Sequence, residues 1–151
     1  MKKPHIFLDS SALIAGVISD AGAAHALLEL AEEEHIEITI SEFVVLESER
    51  SIAIKSPQNI PHLRDIIIKS LLNIIRDPSP KEIRDNFYLI SDPNDVPILL
   101  SAMKAKVDFL VTHNRKHFLN DPKVAELSGL RIGTPGDALA WVRENLAGEK
   151  Q

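Results

Sequence analysis

Apolar and polar positions along the chain follow two rhythms. The short runs "HIFLD" (5–9), "IEITI" (36–40), "DFLVT" (108–112) and "LRIGT" (130–134) have the length and composition of strands, and "IEITI" alternates. Between them lie segments with helical spacing. "GAAHALLELAEEE" (22–34) sets Ala24, Leu27, Leu28, Leu30 and Ala31 on one face. Ser41 is a fair N-cap for "EFVVLESERSIAIK" (42–55), and "SPQN" (56–59) breaks the chain. "IPHLRDIIIKSLLNIIRD" (60–77) predicts one long helix; Leu63, Ile66, Ile67, Leu71, Leu72 and Ile74 spread beyond a single stripe, as in a helix buried in the core or covered by another chain. "PSPKEIRDN" (78–86) reads as a turn and short helix, and "FYLI" (87–90) as a strand. A helix is expected from about 94 to 106, another over 121–129 closed by Gly129, and a last one capped by Thr134 with Pro135 at its first position. Ser10 and Ser11 read as turn or cap residues after the first strand. No repeat, low-complexity segment or linker is visible.

Strands alternating with helices predict an α/β fold with a mostly parallel sheet covered on both faces. In such sheets ligands bind beyond the carboxyl ends of the strands. The 151 residues suit a single domain over 1–151. Hydrophobic residues make up 44% but aromatics only 5%, so the core must be aliphatic. The absence of cysteine excludes disulfides, thiolate metal sites and cysteine nucleophiles, and suits a cytoplasmic protein. A net charge of −5 argues against non-specific duplex DNA binding. Met1-Lys2-Lys3 before an apolar stretch has the outline of a signal peptide, but Asp9 interrupts it. No uncharged apolar run is long enough for a membrane span; "DIIIKSLLNIIRD" is interrupted by Lys69.

The chemistry lies in the acids. Asp9 ends the first strand. Glu47 follows Phe43 and Val44 at helical i+4 and i+3 spacing and borders the face marked by Phe43, Val44, Leu46 and Ile52, whereas Glu42 and Glu49 read as more exposed. In "SDPNDVP", Pro97 fixes a helix start, and Asn94 or Asp95 is its cap. An acid there gains about 0.3–1 kcal/mol from the helix dipole, so capping alone accounts for one carboxylate and extends to both. The set says more than its members. Asp9 and the acids at 92 and 95 fall at the same rim of the sheet. Crowded carboxylates repel, and some stay protonated unless a cation joins them. Mg²⁺ and Mn²⁺ prefer such oxygen sites.

The blocks "HIFLDSSALIAGVIS", "ITISEFVVLESER", "DPNDVPILLSAMKAKVDFLVTHN" and "LRIGTP", in that order and spacing, resemble the PIN-domain family, which includes VapC-type toxin ribonucleases. The resemblance implies a three-layer PIN-like fold with a central sheet flanked by helices. It implies metal-dependent hydrolysis of RNA phosphodiester bonds by an endoribonuclease using Mg²⁺ or Mn²⁺. It places the metal-binding aspartates on Asp9 and Asp95, the family's glutamate on Glu47 and its small helix residue on Ala102. Many members carry a further aspartate after the fourth strand; here the chain reads Thr112-His113-Asn114. Asn114 offers a carbonyl oxygen or orients a water but adds no charge. The expected catalytic set is therefore Asp9, Glu47, Asp95 and Asn114. Ser10 and Thr112 are expected to orient the carboxylates on the substrate side, and Arg115 and Lys116 to meet the RNA backbone. His113 and His117 stay outside the set. The resemblance also implies a homodimer and, for toxins, a small antitoxin protein that blocks the site. The rival reading is a binding or regulatory module for RNA or protein that does not cleave, which the missing fourth acid supports.

Overall fold

The structure is a computed structural model that describes residues 2–149. Its core is a five-stranded parallel sheet: β1 (His5–Leu8), β2 (Glu37–Ser41), β3 (Asn73–Ile75), β4 (Phe109–Val111) and β5 (Arg131–Gly133), in the order β3-β2-β1-β4-β5. Ile6 pairs with Ile38 on one side and Phe109 on the other. Successive strand residues point to opposite faces. Ile6, Phe7 and Leu8 are nevertheless all fully buried, so both faces of the sheet are covered. This is the three-layer α/β arrangement that the alternation of elements predicts.

The helices are α1 (Ser10–Ile18), α2 (Ala23–Glu32), α3 (Glu42–Lys55), α4 (Ile60–Lys69), α5 (Pro80–Asp85), α6 (Val96–Lys104), α7 (Pro122–Ser128) and α8 (Pro135–Glu149). α2 packs on α8, which lies along β4 and β5, while α6 runs beside β2 and α3. From β1 the chain winds outward through β2 to β3, then returns to the other side of β1 to form β4 and β5. The order reverses between β1 and β4, and a crevice opens there above the strand ends. Among the described residues, no single helix is long and apolar enough to cross a membrane.

Four expectations need correction. The stretch 60–77 is not one helix: α4 stops at Lys69, Leu71 takes a left-handed backbone (φ 56°), and 73–75 form the edge strand β3. This division explains the spread of apolar residues. Leu63, Ile66 and Leu72 are buried, whereas Leu71 and Ile74 are about half exposed because they belong to the turn and the edge strand. "FYLI" is no strand: Phe87–Leu89 is a 3₁₀ turn with Phe87 and Tyr88 exposed, and only Leu89 and Ile90 reach the core. Ser10 and Ser11 are neither turn nor cap, because Asp9 is the cap and α1 begins at Ser10. On α3 the buried stripe is Val44, Ser48 and Ile52, so Leu46 points outward, and Glu49 is less exposed than Glu47 and lies 3.6 Å from Arg64.

Candidate active site and metal centre

β1 ends in the carboxylate that anchors the site. The Asp9 N–H still donates to the Val111 carbonyl (3.1 Å), which pins the residue to β4, and its side chain then caps α1. Oδ1 accepts from the Ala12 N–H (3.0 Å) and the Ser11 hydroxyl (2.6 Å), and Oδ2 accepts from the Thr112 hydroxyl. Both hydroxyls are fixed from behind: Ser11 Oγ accepts from the His113 N–H (3.1 Å) and Thr112 Oγ1 from the Asn114 N–H (2.9 Å). A hydroxyl has one proton, and each of these spends it on Asp9. Three donors thus fill three of roughly four carboxylate lone-pair positions, leaving one on Oδ2. Asp9 is buried, and burial pushes its carboxyl above the usual range, with the Glu47 charge adding to the rise against the hydrogen bonds from Ser11, Thr112 and Ala12.

Asp95 is held differently. It caps α6 without a side-chain capping bond, at the end of a 3₁₀ turn (Pro93–Asp95) whose own cap is Asp92, accepting from the Asn94 N–H (2.9 Å). Pro93 and Pro97 stand where missing N–H groups cost nothing. Asp95 Oδ2 is buried and has no aligned hydrogen-bond donor, although His117 Nδ1 is 2.6 Å away. Burial raises the Asp95 carboxyl first of all; His117 opposes this, and Asp92 and Asp9 add to it.

Asp9, Ser10, Glu47, Asp95 and Asn114 all line one cleft of about 260 Å³, together with Ser11, Phe43, Asn94, Ile98, His113 and Phe118. Glu47 reaches it from α3, exposed, with Oε1 accepting from the Ser10 hydroxyl. Thr112 lies behind Asp9, fully buried and out of reach of a substrate. Asn114 spends its side-chain carbonyl on capping a five-residue π turn (Arg115–Leu119), accepting from the His117 N–H (3.1 Å). Lys116 is exposed and is not part of the cleft wall, and Arg115 lines a neighbouring cavity.

Two candidate ligand residues lie outside the set expected from the sequence. Asp92 and His117 each offer a ligand atom to the same point as Asp95, the three atoms lying within 4.8 Å of one another. His117 follows no motif; its signal is only its place three residues after the capping Asn114. The donor chemistry fits a divalent cation. Asp95 has a buried oxygen without a donor, Asp9 has a free lone pair, and both carboxyls are raised by burial and by neighbouring acids. Oxygen donors suit Mg²⁺ and Mn²⁺, and an added imidazole favours the transition metal of the two.

A family model described as PIN domain matches residues 5–116. No curated protein matches the sequence. Among solved structures, the chain is similar to VapBC2 from Rickettsia felis bound to a DNA fragment from their promoter, at 23% identity and a TM-score of 0.61, covering 86% of this chain and 98% of that one. It is also similar to the protein PAE2754 of Pyrobaculum aerophilum, at 15% identity and a TM-score of 0.63, covering 93% and 96% of the two chains.

Proposed function

Because the chain belongs to the PIN-domain family, we propose that it is a metal-dependent endoribonuclease hydrolysing RNA phosphodiester bonds, with Asp9, Glu47, Asp95 and Asn114 as the reacting set. The observation that carries this reading is the convergence of Asp9 and Asp95 in one cleft at the switch point of the sheet, with both carboxyls raised by burial. Neighbouring desolvated carboxylates raise one another's pKa, and a cation between them favours both as charges.

Asp9 and Asp95 would hold Mg²⁺ or Mn²⁺, with Asp92 and His117 beside Asp95. When bound, the ion supplies charge neutralisation and Lewis acidity toward the phosphodiester. The protein supplies the rest. Ser11 and Thr112 fix both oxygens of Asp9, so the open lone pair keeps one direction. Glu47, solvent-facing and steadied by Ser10, accepts a proton from the attacking water. The Asn114 Nδ2, which lies 3.5 Å from His117 Nδ1, keeps a second proton to donate to a phosphate oxygen.

The likeness to VapBC2 supports a toxin role restrained by an antitoxin protein, and the half-exposed apolar residues Leu71 and Ile74 support a homodimer. The test incubates the protein with single-stranded and hairpin RNAs in Mn²⁺, Mg²⁺ or chelator, beside Asp9→Asn. Metal-dependent cleavage lost in the variant supports the reading. RNA retention without cleavage in any metal replaces it with a binding module, the role that an uncharged Asn114 favours.

A further inference from the structure

Beside the acidic cleft lies a second cavity, of about 420 Å³, that shares His113 with it as a common wall. Its composition is the opposite of its neighbour's. The cleft is lined by Asp9, Glu47 and Asp95; among the described residues no carboxylate lines the cavity, and Arg115 does. The remaining walls are small and mostly apolar, among them Ala15 within α1, Gly22 and Ala24 at the start of α2, and Gly136 at the start of α8. The volume is within the range of sites that accept small molecules or parts of larger ones.

We propose that this cavity receives a nucleobase of a single-stranded RNA, next to the phosphodiester that lies over the acids. The choice of RNA rests on the nuclease reading; the cavity itself is read from its own residues. His113 separates the two spaces, so a strand lying over the acids can carry a base past it into a place free of carboxylates. Unpaired bases are commonly recognised by stacking on imidazole rings or guanidinium planes, and His113 and Arg115 supply one of each. The guanidinium is charged at any working pH and also meets the phosphate that accompanies the base. A base within a duplex is stacked and paired and cannot enter, so the cavity selects unpaired RNA.

Gly22 makes the assignment testable. Its backbone is extended (φ −98°), which any residue adopts, and a Cβ there meets nothing within 4 Å. Gly22→Phe therefore adds a ring at the cavity wall with room for its Cβ, and Gly22→Ala is its control. The measurement is fluorescence anisotropy of labelled 12-nucleotide RNAs in chelator, where no cleavage is required, with melting curves to confirm that each variant folds. Wild type and Gly22→Ala are expected to bind the single strand more tightly than the duplex of the same sequence. Gly22→Phe and Arg115→Ala should each weaken single-strand binding about fivefold or more, the size of one lost stacking contact. Adenosine or uridine monophosphate should compete, and ribose 5-phosphate should not. Equal binding by both variants, or equal competition by ribose 5-phosphate, overturns the assignment. Cleavage by wild type in Mn²⁺ without these binding differences overturns the cavity alone. The binding differences without cleavage support the cavity and overturn the nuclease reading.

Discussion

A titratable side chain stands at each end of β1, half-buried His5 at its start and buried Asp9 just past its end, and the two behave differently. At the start, His5 Nε2 is 2.6 Å from Thr39 Oγ1 and the His5 N–H donates to Asp108 (2.9 Å). Burial holds its imidazole below the usual value, against the pull of Glu37 and Asp108. A histidine can meet that demand by staying neutral at physiological pH. At the other end Asp9 has three donors, yet burial still pushes its carboxyl up, and Asp95 across the cleft is raised as well. A carboxylate has no neutral form near pH 7 unless its pKa moves by several units. The histidine end is therefore complete as a piece of structure. The aspartate end keeps desolvated carboxylates beside one another, a place that favours a cation, and that difference sets it apart from the histidine end.

The largest break in this comparison is Asp9→Asn. The amide keeps an acceptor for Ser11 and Ala12 but loses the charge. Mn²⁺ binding by calorimetry should vanish, and RNA cleavage should fall by more than the roughly 10–100-fold that loss of an outer-shell partner costs. An unchanged isotherm would remove Asp9 from the metal site. In chelator the sign reverses. A carboxyl raised in the folded state contributes stability that is present below its unfolded value and lost as pH rises through the folded one. The melting temperature of the variant should accordingly gain on wild type as pH rises from 4 to 7.

Thr112→Val tests whether the support behind Asp9 matters as much as the carboxylate. It removes a donor to Asp9 Oδ2 and the acceptor of the Asn114 N–H in a fully buried place. Leaving such groups unmatched costs about 1–3 kcal/mol, and activity should drop about 10–100-fold. His117→Ala should act on the Asp95 side instead, leaving Mg²⁺ binding in place and narrowing any preference for Mn²⁺. Thermal melting and paired titrations with the two ions separate these effects. If His117→Ala affects both ions equally, the imidazole is not a ligand.

Glu47→Gln tests the α3 acid that faces the cleft. Glu47 faces the cleft, Glu42 accepts from the Asp77 N–H (3.3 Å) and Glu49 lies beside Arg64. Cleavage rates should fall on the order of 10²-fold or more for Glu47→Gln and stay near wild type for the other two, as expected for a proton acceptor against surface carboxylates. Equal rates in all three variants would take Glu47 out of the reaction.

How far the sequence is legible depends on local signals. The end of α7 was readable because Gly129 takes the left-handed conformation (φ 73°) that favours glycine. The helices before β2, β3 and β4 end in the same kind of turn but place Glu34, Leu71 and Lys106 at the left-handed position. After α4, the Leu72 N–H donates to the Ile67 carbonyl (3.1 Å) and the Leu71 N–H to Ile68 (3.2 Å), a capping pair that normally announces itself by glycine. Without that residue, 60–77 reads as one helix. Of the residues that share the cleft, Asp9 and Asp95 were legible because strand ends and proline positions are local, and Glu47 only through the family resemblance, since its helix face was misjudged. Asp92 and His117 meet only through the tertiary fold, across a π turn that no periodicity foretells.

The smallest expected effect is at the quiet end of β1, and it sharpens the contrast with Asp9. Because the folded-state pKa of His5 lies below its unfolded value, the unfolded chain takes up a proton first as pH falls. Stability from this group is full above about 6.5, the ordinary histidine value, and declines between that value and the lower folded one. The direction is opposite to that of Asp9, whose contribution declines as pH rises. His5→Gln removes the titration while leaving an amide within reach of Thr39. Wild type should lose more melting temperature than the variant between pH 7.5 and 5.5. The difference should be a few degrees at most, since about 1 kcal/mol moves a domain of this size by roughly 2–8 °C. It should be the same with chelator and with Mn²⁺, because His5 stands at the end of the strand remote from the acids. Parallel curves for the two proteins would mean that His5 titrates alike in the folded and unfolded chains. A difference that appears only with Mn²⁺ would couple the two ends of β1 and end the separation between structural and functional burial.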